Sequence, residues 1–250
     1  LNKGKTKLKM IKNRYQSYFK IKKRENFLNS NSIKSIKDEK FFYFPLQSEP
    51  EALILIKSPF YSDTVALVEN IAKSIPIDSI LYVKEHPVQK IKLWRPVDVY
   101  QRIIDMPNVK LIHPSVNSQE LISKSQAVFC VSGATGFEAL FHKKPVILFS
   151  NEYYDVHSMI YKVRKFAELP NMINHAIHNI KFHNDELHAL IQASDNQSIT
   201  IPYFTMLKDG ITLSSIQKDD IALTIQNFQK YYNTYKDYFL LIATTINSKL

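Results

Sequence analysis

Two short stretches carry residue types able to handle a charged ligand. VSGATGFEAL, Val131 to Leu140, places two glycines, two small hydroxyl residues and one carboxylate directly after the apolar run AVFC. Gly133 and Gly136 allow a tight turn and close approach of the backbone to a ligand. Ser132 and Thr135 supply hydroxyl donors, and the N–H groups that open a following helix favour negative charge. The same residues would equally serve a plain turn in which Ser132 or Thr135 caps the helix. The second stretch, LYVKEHPVQ, closes an apolar run with Lys84, Glu85, His86 and Pro87. His86 stands where an imidazole can donate to a phosphate oxygen, Pro87 fixes the exit of the chain, and Lys84 adds charge nearby. His113-Pro114 ends another apolar run in the same way. The dipeptide alone therefore does not discriminate, and His113 is expected to serve as an internal control for His86.

Such residues can act together only if the fold brings their runs side by side. From Lys40 onward, short apolar runs alternate with amphipathic segments, the pattern of a βαβ layout with a parallel sheet flanked by helices. Strands are expected at 41–44, 80–84, 109–112, 127–131 and 145–149, about five in all. Helices are expected at 63–75, around 97–105, at 118–125 and at 135–143. Ligands of open α/β sheets bind outside the carboxyl ends of the strands, so His86 and Ser132 are expected at the same edge. The chain beyond Asn171 is helical in tendency. Its last helices, from about Ser214, are expected to present an apolar face to a missing domain.

Charge divides the chain further. Residues 1–40 hold 13 Lys and Arg against 3 Asp and Glu, which leaves 20 of each for the remainder and accounts for the whole net charge of +10. The organisation expected is a basic helical arm or interdomain linker at 1–40, with a flexible end at 29–40, a Rossmann-like domain at 41–170 and a helical extension at 171–250. Such an arm suits an anionic membrane surface, a partner domain or a solvated linker; nucleic acid is not expected as a partner. The single cysteine, Cys130, lies in an apolar run, which excludes an internal disulfide and argues against a metal cluster. No apolar window approaches a membrane span. A cytoplasmic setting is expected, with the inner face of the membrane as a surface for peripheral attachment.

Four stretches in order, FFYFPLQSEPE, LYVKEHP, MPNVKLIHPSVNSQELI and VSGATGFEALFHKKPVILF, resemble the capsule polysaccharide biosynthesis family. These are bacterial glycosyltransferases of GT-B fold that include capsular Kdo transferases. The resemblance covers Phe41 to about Tyr154, near half of the chain. It implies the C-terminal, donor-binding half of such an enzyme, with a nucleotide-sugar donor, commonly CMP-linked, as substrate rather than a cofactor, and with no metal. It carries His86 onto the donor phosphate, Ser132, Gly133 and Thr135 onto the turn beside it, and Glu138 onto ribose hydroxyls or the sugar. A helix-dipole role is the plain alternative for Glu138. Glu49 and Glu51 fall in a possible donor loop, where Gln47 replaces a frequent histidine.

The chemistry implied is glycosyl transfer, in which donors to the departing phosphate lower the barrier. The general base is expected in an upstream domain, so the catalytic residue is not assigned and the chain alone is expected to be inactive. Two alternatives stand beside this reading. One is a polyol-phosphate transferase using a CDP-glycerol type donor; the other is a non-catalytic nucleotide-binding module assembled at the membrane.

Overall fold

The computed structural model describes residues 7–49, 55–56, 58–90, 95–215 and 221–247. It divides into two compact units, Leu1–Leu190 and Ile191–Leu250.

The first unit is built on a sheet of β1 (Phe41–Pro45), β2 (Ile80–Lys84), β3 (Val109–Ile112), β4 (Val128–Cys130), β5 (Val146–Leu148) and β6 (Ile160–Lys162). All pairings are parallel and the spatial order is β3-β2-β1-β4-β5-β6. This order runs outward from β1 to β3 and then restarts on the other side of β1, the doubly wound arrangement of a Rossmann-like fold. Its reversal point is the crevice beyond the carboxyl ends of β1 and β4, where Tyr43 pairs with Val128.

Burial explains why the first strands read as unbroken apolar runs. β1 lies between two layers: Phe42, Phe44 and Leu46 enter one core cluster and Phe41 and Tyr43 the other. A strand covered on both faces has no polar alternation to show. The flanking helices are α2 (Thr64–Ser74), α3 (Val97–Ile104), α4 (Ser118–Lys124), α5 (Ala134–Phe141), α6 (Leu169–His178) and, as far as Leu190, α7 (Asn184–Gln197). α2 starts where the Asp63 carboxylate accepts from the N–H groups of Val65 and Ala66, and α4 where Asn117 accepts from Gln119 and Glu120. α6 sends Ile173 and Ala176 into the core, so the unit extends past the boundary expected at 170.

Two features add to the expected layout. A sixth strand, β6, completes the sheet. It is a three-residue edge strand whose own residues stay partly exposed, while its neighbours Met159 and Val163 are buried. The basic segment, expected as a helical arm or interdomain linker, is docked on the first unit. It forms α1 (Lys7–Asn31), whose Leu28 is buried in the core and whose Phe27 ring lies 6.3 Å from that of Tyr100. The stretch expected to be flexible is tied down. The Ile33 N–H donates to the Leu111 carbonyl, the His113 N–H donates to the Ile33 carbonyl, both at 2.9 Å, and Glu39 accepts from Lys110. A few apolar side chains and backbone hydrogen bonds outweigh a composition that reads as linker.

In the second unit, α8 (Tyr203–Ser215) and α9 (Ile221–Asn247) pack as a helical pair. The Tyr231 hydroxyl donates to the Met206 carbonyl and the Tyr235 hydroxyl to Asp209 at 2.6 Å. Ile225, Phe228 and Tyr232 of α9 are exposed, at spacings that place them on one side of the helix.

Docking of α1 makes Leu28 a core residue, so Leu28→Ala should destabilise the protein by about 2–4 kcal/mol in chemical denaturation. An undocked arm would leave the change within about 0.5 kcal/mol.

Candidate functional site

The carboxyl edge of the sheet is held in shape by one buried arginine. Arg95, just before α3, is wholly enclosed; its Nη1 donates to both oxygens of Glu85, its Nη2 donates to the Gln47 carbonyl at 2.8 Å, and Nη2 also lies 3.0 Å from Glu49 Oε1. The Tyr100 hydroxyl also donates to Glu85, at Oε2. Burial alone would lower the Arg95 pKa, but the charge and hydrogen bonds of Glu85 outweigh it and keep the guanidinium charged. One side chain thus joins the ends of β1 and β2 to α3.

Around this clamp the expected residues fall as follows. Glu49 accepts from Thr64 Oγ1 and pairs with Arg95, while its N–H donates to Gln89, so its bonds go to the framework. Glu51, the other acid of that loop, lies outside the described residues. Gln47 spans the switch point itself, donating from Nε2 to the Ser132 carbonyl at 2.9 Å. Lys84 is buried at the end of β2 with its ammonium on Ser118 Oγ at 2.6 Å and, among the described residues, no acidic partner. Burial holds its pKa below the usual lysine range. His86 and Pro87 follow, the histidine half-buried.

The turn after β4 is built for close approach. Gly133 has φ +95°, a conformation that favours glycine, and nothing lies within 4 Å of the position a Cβ would occupy. Thr135 is half-exposed and its hydroxyl has no partner among the described residues. Gly136 has a different reason from the one expected: an added Cβ would meet the Tyr154 hydroxyl oxygen at 2.6 Å, and that hydroxyl donates to the Gly133 carbonyl. Its absent side chain makes room for a tyrosine inside the fold rather than for a ligand. Glu138 accepts from Gln119 of α4 at 2.7 Å, and Gln119 in turn bonds His142.

Sequence reasoning missed a carboxylate at the turn. Glu152, in the loop after β5, accepts from Ser132 Oγ at 2.5 Å and from the Gly133 N–H at 3.3 Å. An acid of the chain itself therefore sits on the donors expected to take a phosphate. Nothing local in SNEYYD signals this, because the contact spans twenty residues of sequence. Arg95 had a signal: only five of the 33 cations are arginine, and an arginine in a lysine-rich chain marks a place where a fork-shaped, permanently charged donor is needed.

His86 and Ser132 do lie at the same end of the sheet, with β1 between them, so their strands are about 10 Å apart. His113 is no bystander. β3 pairs with β2 so that Lys84 faces Ile112, and this register brings both histidines onto one cavity of about 440 Å³, which Arg24 and Leu28 of α1 also line. His113 Nδ1 accepts from the Ser115 N–H, which leaves the proton of the neutral ring on Nε2; burial, and then the charge of Lys34, lower its pKa and favour that neutral form.

A doubly wound sheet with a glycine turn at its switch point places the protein among the Rossmann-like α/β folds. Within that class, the chain belongs to the capsule polysaccharide biosynthesis protein family, whose model matches residues 2–177. It is similar in structure to the beta Kdo 2,7 transferase of Thermosulfurimonas dismutans KpsC, with 22% identity over 70% of this chain and 52% of that one and a TM-score of 0.43. It is also similar to the UDP-GlcNAc 2-epimerase of Methanocaldococcus jannaschii, with 18% identity, coverages of 70% and 50%, and a TM-score of 0.45. Likeness extends to Staphylococcus aureus TarM at 14% identity, 81% and 37% coverage, and a TM-score of 0.43. The chain thus spans about half the length of the KpsC transferase and less of TarM. No curated protein matches it.

Removing one member of a buried ion pair strands the other, so Arg95→Met should cost about 3–5 kcal/mol of stability in chemical denaturation. The double variant Arg95→Met, Glu85→Leu should recover most of that loss. A loss no smaller in the double variant would show that Arg95 does not act through Glu85.

Proposed function

We propose that the chain is the donor-binding half of a glycosyltransferase that builds a bacterial capsule or related surface polysaccharide, taking a CMP-linked sugar at the carboxyl edge of its sheet. The observation that carries this reading is the switch-point crevice itself. Gly133 turns there with open space above it, Thr135 offers a hydroxyl with no partner among the described residues, and Lys84 and His86 bring positive or donor character from the neighbouring strand. Membership of the capsule family supports the biological setting.

The residues suggest a division of labour. His86 and the buried ammonium of Lys84 would take the phosphate, because Lys84 has a charge that no acid among the described residues offsets. The turn from Ser132 to Gly136 would take the group next to it, with Glu138 nearby on α5. As the sugar leaves, charge accumulates on the phosphate oxygens, and donors already fixed by the sheet stabilise it without reorganising. These groups bind and polarise the leaving group. Activation of the acceptor hydroxyl falls to a base outside this set. No described helix is long and apolar enough to cross a membrane; attachment to the inner face would rest on the basic face of α1.

Calorimetric titration with CMP tests the reading. His86→Ala should weaken binding by about 1.5–3 kcal/mol, because a donor to a charged group is lost. His188→Ala, on α7, should leave it unchanged; it replaces His113 as control, since His113 lines the His86 cavity. Glu152→Gln should strengthen CMP binding about threefold or more, because a carboxylate no longer competes for the Ser132 and Gly133 donors. Wild-type protein that fails to bind CMP would overturn the proposal. Weaker binding by Glu152→Gln would instead place that carboxylate in contact with the ligand.

A further inference from the structure

The loop between β5 and β6 grips the Ser132 turn at one end and carries a buried histidine at the other. Glu152 and Tyr154 hold the turn, through Ser132 Oγ, the Gly133 N–H and the Gly133 carbonyl. His157 follows them, its side chain wholly enclosed. Backbone bonds wind the segment into successive tight turns: the Asp155 N–H donates to the Glu152 carbonyl at 3.0 Å, the His157 N–H to the Tyr154 carbonyl at 3.2 Å and the Ile160 N–H to the His157 carbonyl at 2.9 Å. A displacement at His157 is therefore carried to Glu152 rather than absorbed between them.

The imidazole fits its place in one protonation state. Its Nδ1 accepts from the Met159 N–H at 3.2 Å, which leaves the proton of the neutral ring on Nε2, and Nε2 has no hydrogen-bond partner among the described residues. A second proton would go to Nδ1, where it would meet the Met159 N–H head on and put a charge in the interior. Burial accordingly lowers the His157 pKa, and the charge of Glu186 opposes this only in part. Glu186, in the first turn of α7, stands by as an acceptor: its Oε2 is 3.7 Å from Nδ1, beyond hydrogen-bond reach, and accepts from the Ser158 N–H of the same loop at 2.8 Å. Hydrogen bonding to Ser158 lowers the Glu186 pKa, so this acid stays ionised where histidine titrates. The other charged groups around His157 do not compensate a proton there. His183 repels it, Lys143 lies beyond the Phe182 ring, and on the loop itself Asp155 is paired with Lys162.

We propose that this loop is a proton-operated latch: protonation of His157 swings its ring from the Met159 N–H toward Glu186, pulls residues 152–158 out of their turns and so frees the donors of Ser132 and Gly133 for an anion. The closed form disfavours the proton. Opening therefore becomes easier as pH falls through the ordinary histidine value of about 6.5, and levels off below the depressed value of the closed form. Which anion then enters rests on the function proposed above; the latch itself does not.

Hydrogen–deuterium exchange of the ligand-free protein, followed from about pH 7.5 to about pH 5.5, tests the latch. With each rate divided by the intrinsic amide rate at that pH, residues 132–136 and 152–158 should open more readily by up to about tenfold per pH unit below about 6.5, the limit for one linked proton. His157→Gln keeps an acceptor for the Met159 N–H but takes up no proton, so this dependence should vanish. Glu186→Gln still accepts from Ser158 but has no charge, and should move the onset to lower pH. The same slope in His157→Gln, or an unmoved onset in Glu186→Gln, overturns the latch. Should His157→Gln not fold, NMR titration of the wild type decides: the His157 ring and the Ser132 and Gly133 amides must share one midpoint, and separate midpoints overturn the proposal. CMP is absent throughout, so failure of the latch leaves the donor reading standing, and failure to bind CMP leaves the latch standing.

Discussion

Arg95 bonded to Glu85 in the interior is the constraint on which the rest of the candidate site depends. A charged pair of this kind is costly to bury and is sustained only when the remaining donors and acceptors are met. Here most of the demand is met by the Gln47 carbonyl, Glu49 and the Tyr100 hydroxyl, which belong to the end of β1, the loop after it and α3, while Arg95 Nε has no partner among the described residues. Satisfying one guanidinium therefore fixes the relative positions of three segments that no local interaction would hold. Gln47 passes the constraint on, since its side chain reaches across the switch point to the Ser132 carbonyl.

The charges along this edge differ in kind, and the difference gives each a separate role. Arg95 and Glu85 neutralise one another and belong to the frame. Lys84 is buried without an acid among the described residues, and burial presses it toward its neutral form, so on the proposed reading an arriving anion would favour its charged form. Glu152 is the opposite case: it accepts from Ser132 and the Gly133 N–H, so on the proposed reading it would yield or take part when an anion binds there. A turn with its own carboxylate in place is protected from casual anions, and the strength of that protection is the cost a true ligand must offset.

How much of this was legible in the sequence follows from how each feature is stabilised. β1 and β2 could be read almost to the residue because they are buried on both faces, and β3 because its three apolar residues are buried although Lys110 interrupts them. β6 has only an edge position and three residues, so its neighbours Met159 and Val163 carry most of its burial. α1 reads as linker because Phe27, Leu28 and Ile33 do its docking amid lysines and asparagines. The motifs at His86 and Ser132 were visible as residue types, but their surroundings depend on strand order. That order sets β3 beside β2 and so brings His113 to His86, and it folds the loop after β5 back onto the Ser132 turn. Contacts between distant segments leave no trace in local pattern, and Gly136 shows the consequence: a glycine read as room for a ligand is room for Tyr154.

The central claim is that a nucleotide sits at the switch point, held by the ends of β1, β2 and β4. Hydrogen–deuterium exchange with and without saturating CMP tests it most directly, because each strand end reports separately. The account predicts slowed exchange in residues 46–49, 84–87 and 132–136 together, with α9 unchanged. Saturating CMP that slows exchange elsewhere while leaving these three segments as they were would contradict it.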